Sequence, residues 1–234
     1  MPTLQSTVAT VDATANTLRR CGPLGPALGT AVAQVALQFI WNDFSDEYNQ
    51  TERKRTYFPS VLINDHLYRL TIADLPVIPY FPSSPRREWA DFRFCGLRGA
   101  SAYVLVYDAS NAGTFRHVRA LRDQMCEARD MRGVPVVVVG NKRDLVACAA
   151  GTPGAAAGDC GSAERREIAN LVKKQWKCCY VECSAKYNWR VVTVFRELMK
   201  IVDGIETGQG YKEVCSPMRD NFQEALDRNR CNII

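Results

Sequence analysis

A chain of 234 residues, 47% hydrophobic and 24% charged, has the length and mix of one globular domain with tails. Such a domain buries a full core without metals or disulfides. Its 30 basic and 25 acidic residues leave a formal charge of +5 with no dense basic run or interleaved aromatic ladder, which argues against a nucleic-acid partner. The ten cysteines are irregularly spaced, and His66 and His117 are the only imidazoles, so neither a zinc site nor a disulfide framework is expected. The thiols read as reduced and cytosolic.

Residues 1–24 are rich in Thr, Ala and Ser, then in Gly and Pro, and read as an unstructured extension. An apolar run over 27–41 follows Arg19 and Arg20 and imitates a membrane signal. It is shorter than the roughly 20 residues needed to span a bilayer. Leu28, Val32, Val35 and Phe39 fall at helical spacing, which favours an amphipathic helix packed on a core, with a signal anchor as the alternative.

A polar loop is expected over 42–56, then a hairpin of strands 59–63 and 67–73 around Asn64-Asp65-His66. Pro76, Pro79, Pro82 and Pro85 make 75–87 a loop, and 88–98 could return to helix. From Ser101 the order is regular: a strand over 103–107 ending at Asp108, a helix with Phe115, Val118, Leu121 and Met125 on one face, and a β-branched strand over 134–139. An Ala/Gly-rich insert at 147–161 reads as mobile. A basic helix over 163–177 and a strand over 179–183 come next. A last helix carries Val191, Val194, Phe195, Leu198 and Val202 on one side. This alternation predicts an α/β fold, a three-layer, mostly parallel sheet with helices on both faces. Ligands of such sheets lie beyond the carboxyl ends of the strands.

Two loops there carry chemistry. The 134–139 strand runs into Gly140-Asn141-Lys142-Arg143-Asp144, and the 179–183 strand into Ser184-Ala185-Lys186. With Leu105-Val106-Tyr107-Asp108 before them, these loops resemble the N-K-x-D and S-A-K loops of the Ras-like small GTPase superfamily. Guanine offers N1–H and N2–H₂ side by side, and one fixed carboxylate, here Asp144, can accept both. Adenine would leave that carboxylate unpaired. The resemblance implies that Asn141 braces the loop and contacts the base, that the Lys142 stem covers the base plane, and that the Ala185 N–H points at O6. Ser184 and Lys186 complete the set. Glu88-Trp89-Ala90-Asp91, Asn141-Lys142-Arg143-Asp144-Leu145 and the run from Glu182 through Trp189 look like the Ras-like family 10 branch, over about residues 38–205.

The phosphate end departs from that pattern. A P-loop needs G-x-x-x-x-G-K-[ST]. Here Val32 and Ala33 stand at the Lys and Ser/Thr positions, and Gly25-Pro26-Ala27-Leu28-Gly29-Thr30 has the wrong glycine spacing and no lysine. The strand that should precede the loop is in doubt, because Arg19-Arg20-Cys21-Gly22-Pro23 cannot be a buried central strand. Asp74-Leu75-Pro76-Val77 keeps the aspartate of D-x-x-G but not its glycine, and Ile78 stands where relatives often carry a water-positioning Gln. Thr51 and Asp74 are the surviving candidates for Mg²⁺ and γ-phosphate sensing. The damage is contiguous, which fits either a pseudo-GTPase or a foreign amino-terminal segment in front of an otherwise regular domain.

Cys231-Asn232-Ile233-Ile234 fits C-a-a-X, with geranylgeranyl the expected lipid on Cys231. The resulting expectation is an extension (1–24), a G domain (25–205) and a lipidated tail (206–234). The resemblance implies a monomer that binds GTP/GDP with Mg²⁺ and signals to effector and regulatory proteins at the cytoplasmic face of a membrane, with GTP hydrolysis as its nominal reaction. The alternative is a catalytically inactive, prenylated adaptor.

Overall fold

The computed structural model describes residues 7–13, 31–46, 54–63, 66–91, 94, 96–149 and 160–206. The 25–30 loop, Thr51, residues 150–159 and the tail with Cys231 lie outside these. The strands are β1 (Thr7–Ala13), β2 (Arg55–Tyr57), β3 (Ser60–Ile63), β4 (His66–Asp74), β5 (Ala102–Asp108), β6 (Val136–Asn141) and β7 (Cys179–Glu182). The helices are α1 (Ala31–Trp41), α2 (Pro85–Ala90), α3 (Phe115–Ala128), α4 (Arg143–Ala149), α5 (Cys160–Asn170) and α6 (Val191–Glu206), with a π-turn at Leu171–Gln175 after α5. The sheet order is β2-β4-β1-β5-β6-β7, and β3 pairs with β4 as the expected hairpin.

Alternation along the strands builds the three layers. Val104, Val106, Val137 and Val139 join α1 and α6 on one face, where the Phe39 and Phe195 rings stack with centroids 3.8 Å apart. Tyr103, Leu105, Tyr107, Val136 and Val138 point to the other face and meet Phe115, Leu121 and Met125 of α3 and Ile168 of α5. Strands buried on both faces have no polar side to show, which is why they read as unbroken apolar runs. Residues 31–41 of the apolar run form α1, with Val35, Ala36, Phe39 and Ile40 in the core, and Leu28 lies outside the described residues. Among the described residues no helix is long and apolar enough to cross a membrane.

The chief departure from expectation is β1. The segment read as unstructured supplies the central strand, because Thr7, Val8, Thr10 and Val11 are β-branched and suit a pleated, fully paired position. Its polar composition concealed that propensity. Its direction is also unexpected. β1 runs antiparallel to both neighbours, with Ala9 opposite Asp74 on one side and Thr7 opposite Val106 on the other. β4 and β5 therefore run the same way, and β6 and β7 are parallel to β5. Asp74, Asp108, Asn141 and Glu182 all end their strands at one edge of the sheet. β1 leaves that edge at Thr7 and finishes at the far end. Smaller corrections follow the same local logic. A short edge strand, β2, emerges from the expected loop, α2 starts at Pro85 and stops at Ala90, and α4 and α5 trim the 147–161 insert from both sides.

Val11 lies opposite Ile72 and Ala102, so a proline there would remove a ladder donor from a strand paired on both sides. Val11→Pro is expected to lower unfolding free energy by about 2 kcal/mol or more in a urea titration. An unchanged midpoint would mean that this segment is not in the sheet.

Candidate functional site

The structure brings Asn141, Lys142, Asp144, Ser184, Ala185 and Lys186 together at the carboxyl ends of β6 and β7. Backbone bonds pin the two loops to each other: Cys183 N–H donates to the Gly140 carbonyl at 2.9 Å, and Arg143 N–H donates to the Cys183 carbonyl at 3.1 Å. Gly140 lies opposite Tyr107 in the sheet, and a Cβ there would come within 3.0 Å of the Tyr107 hydroxyl. A larger residue there would press on that ring, which would have to give by a few tenths of an ångström.

The side chains complete the lock. Asn141 is 1% exposed, and its Oδ1 accepts from Ala185 N–H at 3.0 Å. Ser184 Oγ donates to Asp144 Oδ1 at 2.5 Å, and an antiparallel bridge from Ser184 to Trp189 closes the second loop. Lys142 sits in the left-handed region at φ 62°. Such a conformation is costly for a residue with a Cβ and survives where its surroundings fix it. Here Ala109 N–H holds the Asn141 carbonyl at 2.8 Å, and Lys142 Nζ reaches Asp108 Oδ2 at 3.0 Å. Lys186 pairs with Asp46 at 2.9 Å, and the Asp46 carboxylate raises the pKa of its exposed ammonium. Asn188 Nδ2 donates to Asn42 Oδ1 at 2.7 Å, so the segment after α1 lies against this loop.

The Ala185 N–H, which the resemblance aims at the base, donates to Asn141 Oδ1 at 3.0 Å. The Asn141 Nδ2, in contrast, is buried with no partner. A buried amide donor left unmatched costs about 1–3 kcal/mol, so this atom wants an acceptor such as a purine ring nitrogen. The residues present thus fit a purine base.

Of the two magnesium candidates, Thr51 lies outside the described residues and only Asp74 can be placed. Asp74 is fully buried, opposite Ala9 of β1 and Arg55 of β2. Ile78 is 1% exposed and packs in the core beside Leu75 and Phe81. Among the described residues no group of three His, Cys, Asp or Glu is placed to hold a metal ion.

A support network missed in the sequence runs beneath the loops. The Tyr107 and Tyr180 hydroxyls are 2.7 Å apart, Tyr180 donates to Glu182 Oε1 at 3.0 Å, and Glu182 Oε2 holds Arg143 Nε at 2.9 Å. The residue between Lys142 and Asp144 is thereby tied to the sheet interior. The alternation Tyr180, Glu182 along one strand face was the available signal.

Comparison with known proteins follows this geometry. The Ras family model matches residues 28–203. The chain belongs to the Ras family. Human Ras-like protein family member 10B is 39% identical over 210 residues, covering 89% of this chain and 95% of the relative. Human Ras-like protein family member 10A is 36% identical over 177 residues, covering 74% and 81%. GTP-binding protein Di-Ras2 of Macaca fascicularis is 25% identical over 178 residues, covering 74% and 76%. Within the Ras family, this chain accordingly sits with the Ras-like family 10 branch.

Burial pushes the Cys183 thiol from its ordinary 9.0 up to about 12 and the Tyr107 phenol from 10.0 up to about 12, and raises Tyr180 as well. All three hold their protons more tightly folded than unfolded, so the unfolded chain loses protons first as pH rises. Stability is therefore expected to be level below pH 9 on their account and to fall progressively from pH 9 to 12. Guanidinium titrations across that window measure it, and a flat profile would contradict this burial.

Proposed function

We propose that this domain recognises guanine nucleotides through the base and does not hydrolyse GTP at an appreciable rate, serving as a signalling protein by presenting its surfaces to effector and regulatory partners. The base half rests on one observation, the partnerless buried Nδ2 of Asn141 beside the Asp144 carboxylate fixed by Ser184. Asp144 would accept the guanine N1–H and N2–H₂, Asn141 Nδ2 would donate to N7, and the Lys142 stem would cover the ring. Lys186, held by Asp46, would close the remaining side.

The non-catalytic half rests on strand direction. A phosphate-binding loop joins a strand end to a helix start, so that backbone N–H groups converge on the phosphates at the helix N-terminus. β1 ends at Ala13, at the opposite end of the sheet from Asp74 and Asp108. Val32 and Ala33 supply neither cation nor hydroxyl. A triphosphate carrying three to four charges would meet little to neutralise it, and the buried Ile78 cannot orient an attacking water. GTP and GDP are then ligands rather than substrate and product. Magnesium has only Thr51 and the buried Asp74 to call upon.

Membrane attachment is proposed through a prenyl group on Cys231. One chain anchors weakly, and the tail offers Lys212, Arg219, Arg228 and Arg230 against Glu206, Glu213, Asp220, Glu224 and Asp227, with no polybasic second signal. A divided pool at the cytoplasmic face and in the cytosol is the consequence.

Asp144→Asn should erase about 1.5–3 kcal/mol of preference for guanine over adenine nucleotides, the scale of hydrogen bonds to a charged acceptor. Competition titrations of the parent and the variant read this, and a parent that binds both bases equally would overturn the assignment. For the tail, Cys231→Ser should shift the protein wholly to the soluble fraction of lysed cells. Membrane fractionation identical to the parent would place the anchor elsewhere.

A further inference from the structure

A cavity of about 490 Å³ adjoins the base loops. Arg143, Asp144, Val146, Arg165 of α5, Tyr187 and Trp189 are among the residues that line it. Asn141, Lys142, Ala185 and Lys186 do not line it, and it shares Asp144 and Ser184 with the base-facing set.

Its size falls in the range of small-molecule sites, about 300–1,000 Å³. Its chemistry is specific. Arg165 is half-buried and has no ion pair among the described residues. Arg143 gives Nε to Glu182 and keeps its terminal nitrogens for a second anion. The one acidic group in the lining, Asp144, is already bonded by Ser184. Tyr187 is 68% exposed, a large aromatic face left to water beside those cations, and Trp189, 44% exposed, carries the Arg190 guanidinium over its ring at 5.4 Å from the centroid. Arginine pairs well with planar carboxylate or sulfonate groups, and aromatic rims stack on flat rings.

We propose that this cavity is a second ligand site, separate from the guanine cradle, that takes a planar aromatic molecule bearing a carboxylate or sulfonate. The anion lies at Arg165 and the terminal nitrogens of Arg143, the ring lies against Tyr187, and the far edge meets Val146. The Asp144 carboxylate repels an anion at its own end of the cavity, which fixes the orientation.

The full-length chain titrated with 8-anilinonaphthalene-1-sulfonate, followed by fluorescence, tests this. One saturable site is expected. Arg165→Ala should weaken it about tenfold or more, as loss of a charge-assisted contact does. Tyr187→Ala, at an exposed side chain whose loss leaves the fold intact, should weaken it severalfold. N-phenyl-1-naphthylamine, which lacks the sulfonate, should bind at least about tenfold more weakly. Saturating GDP should leave the site in place. Parent-like affinity in both variants would put the dye elsewhere, and equal affinity for the neutral analogue would remove the anion from the proposal. Competitive displacement by GDP would make the cavity part of the base site. Each of those results overturns the inference, whether or not guanine recognition itself stands.

Discussion

The buried side chain of Asn141 joins the two loops on which everything at this edge of the sheet depends. It ends β6, its Oδ1 takes the Ala185 N–H from the loop after β7, and its Nδ2 is left facing inward without a partner. In a low-dielectric site that single amide does two jobs. One end fixes loop to loop, and the other is a buried donor that a ligand acceptor would satisfy. The Ser184–Asp144 bond repeats the join a few residues along and aims the carboxylate. The strained φ of Lys142 persists because both neighbours are held.

Strand direction is the second constraint. Four strands, β4 to β7 with β1 set aside, deliver their carboxyl ends to one edge, where a nucleotide is met in this architecture. The central position is filled, so the sheet is complete and both cores are packed. It is filled by a strand running the other way. On the proposed reading, packing and phosphate recognition are uncoupled: the reversed strand pairs its neighbours while its carboxyl end lies away from the ligand edge. A Ras-family domain of this form would keep the selectivity device without the part that gathers charge.

The base half of the site was legible because its requirements are local. Asn141, Lys142 and Asp144 lie at the end of the plain β-branched run of β6, and Ser184, Ala185 and Lys186 follow the short strand β7. The helices announced themselves by apolar spacing, and α3 buries Phe115, Val118, Leu121 and Met125 as that spacing requires. β1 was not legible. Thr-Val-Ala-Thr-Val-Asp-Ala is polar enough to read as a tail, and pairing with Ala9 opposite both Asp74 and Val104 is a long-range fact that no local pattern encodes. The burial of Asp74 depends on that pairing, so its removal from the solvent edge was equally hidden. The brace from Tyr107 through Tyr180 and Glu182 to Arg143 joins three elements, and it too required the register between strands.

The central claim is that base recognition survives without phosphate recognition. The most direct measurement compares guanosine, GDP and GTP on the same purified chain by calorimetric titration, with magnesium and with a chelator present. If the account is right, the three bind within about tenfold of one another, about 1.4 kcal/mol, and magnesium changes little. GDP or GTP binding thousands of times tighter than guanosine, and weakening sharply when magnesium is removed, would contradict it and require a phosphate cradle in front of α1.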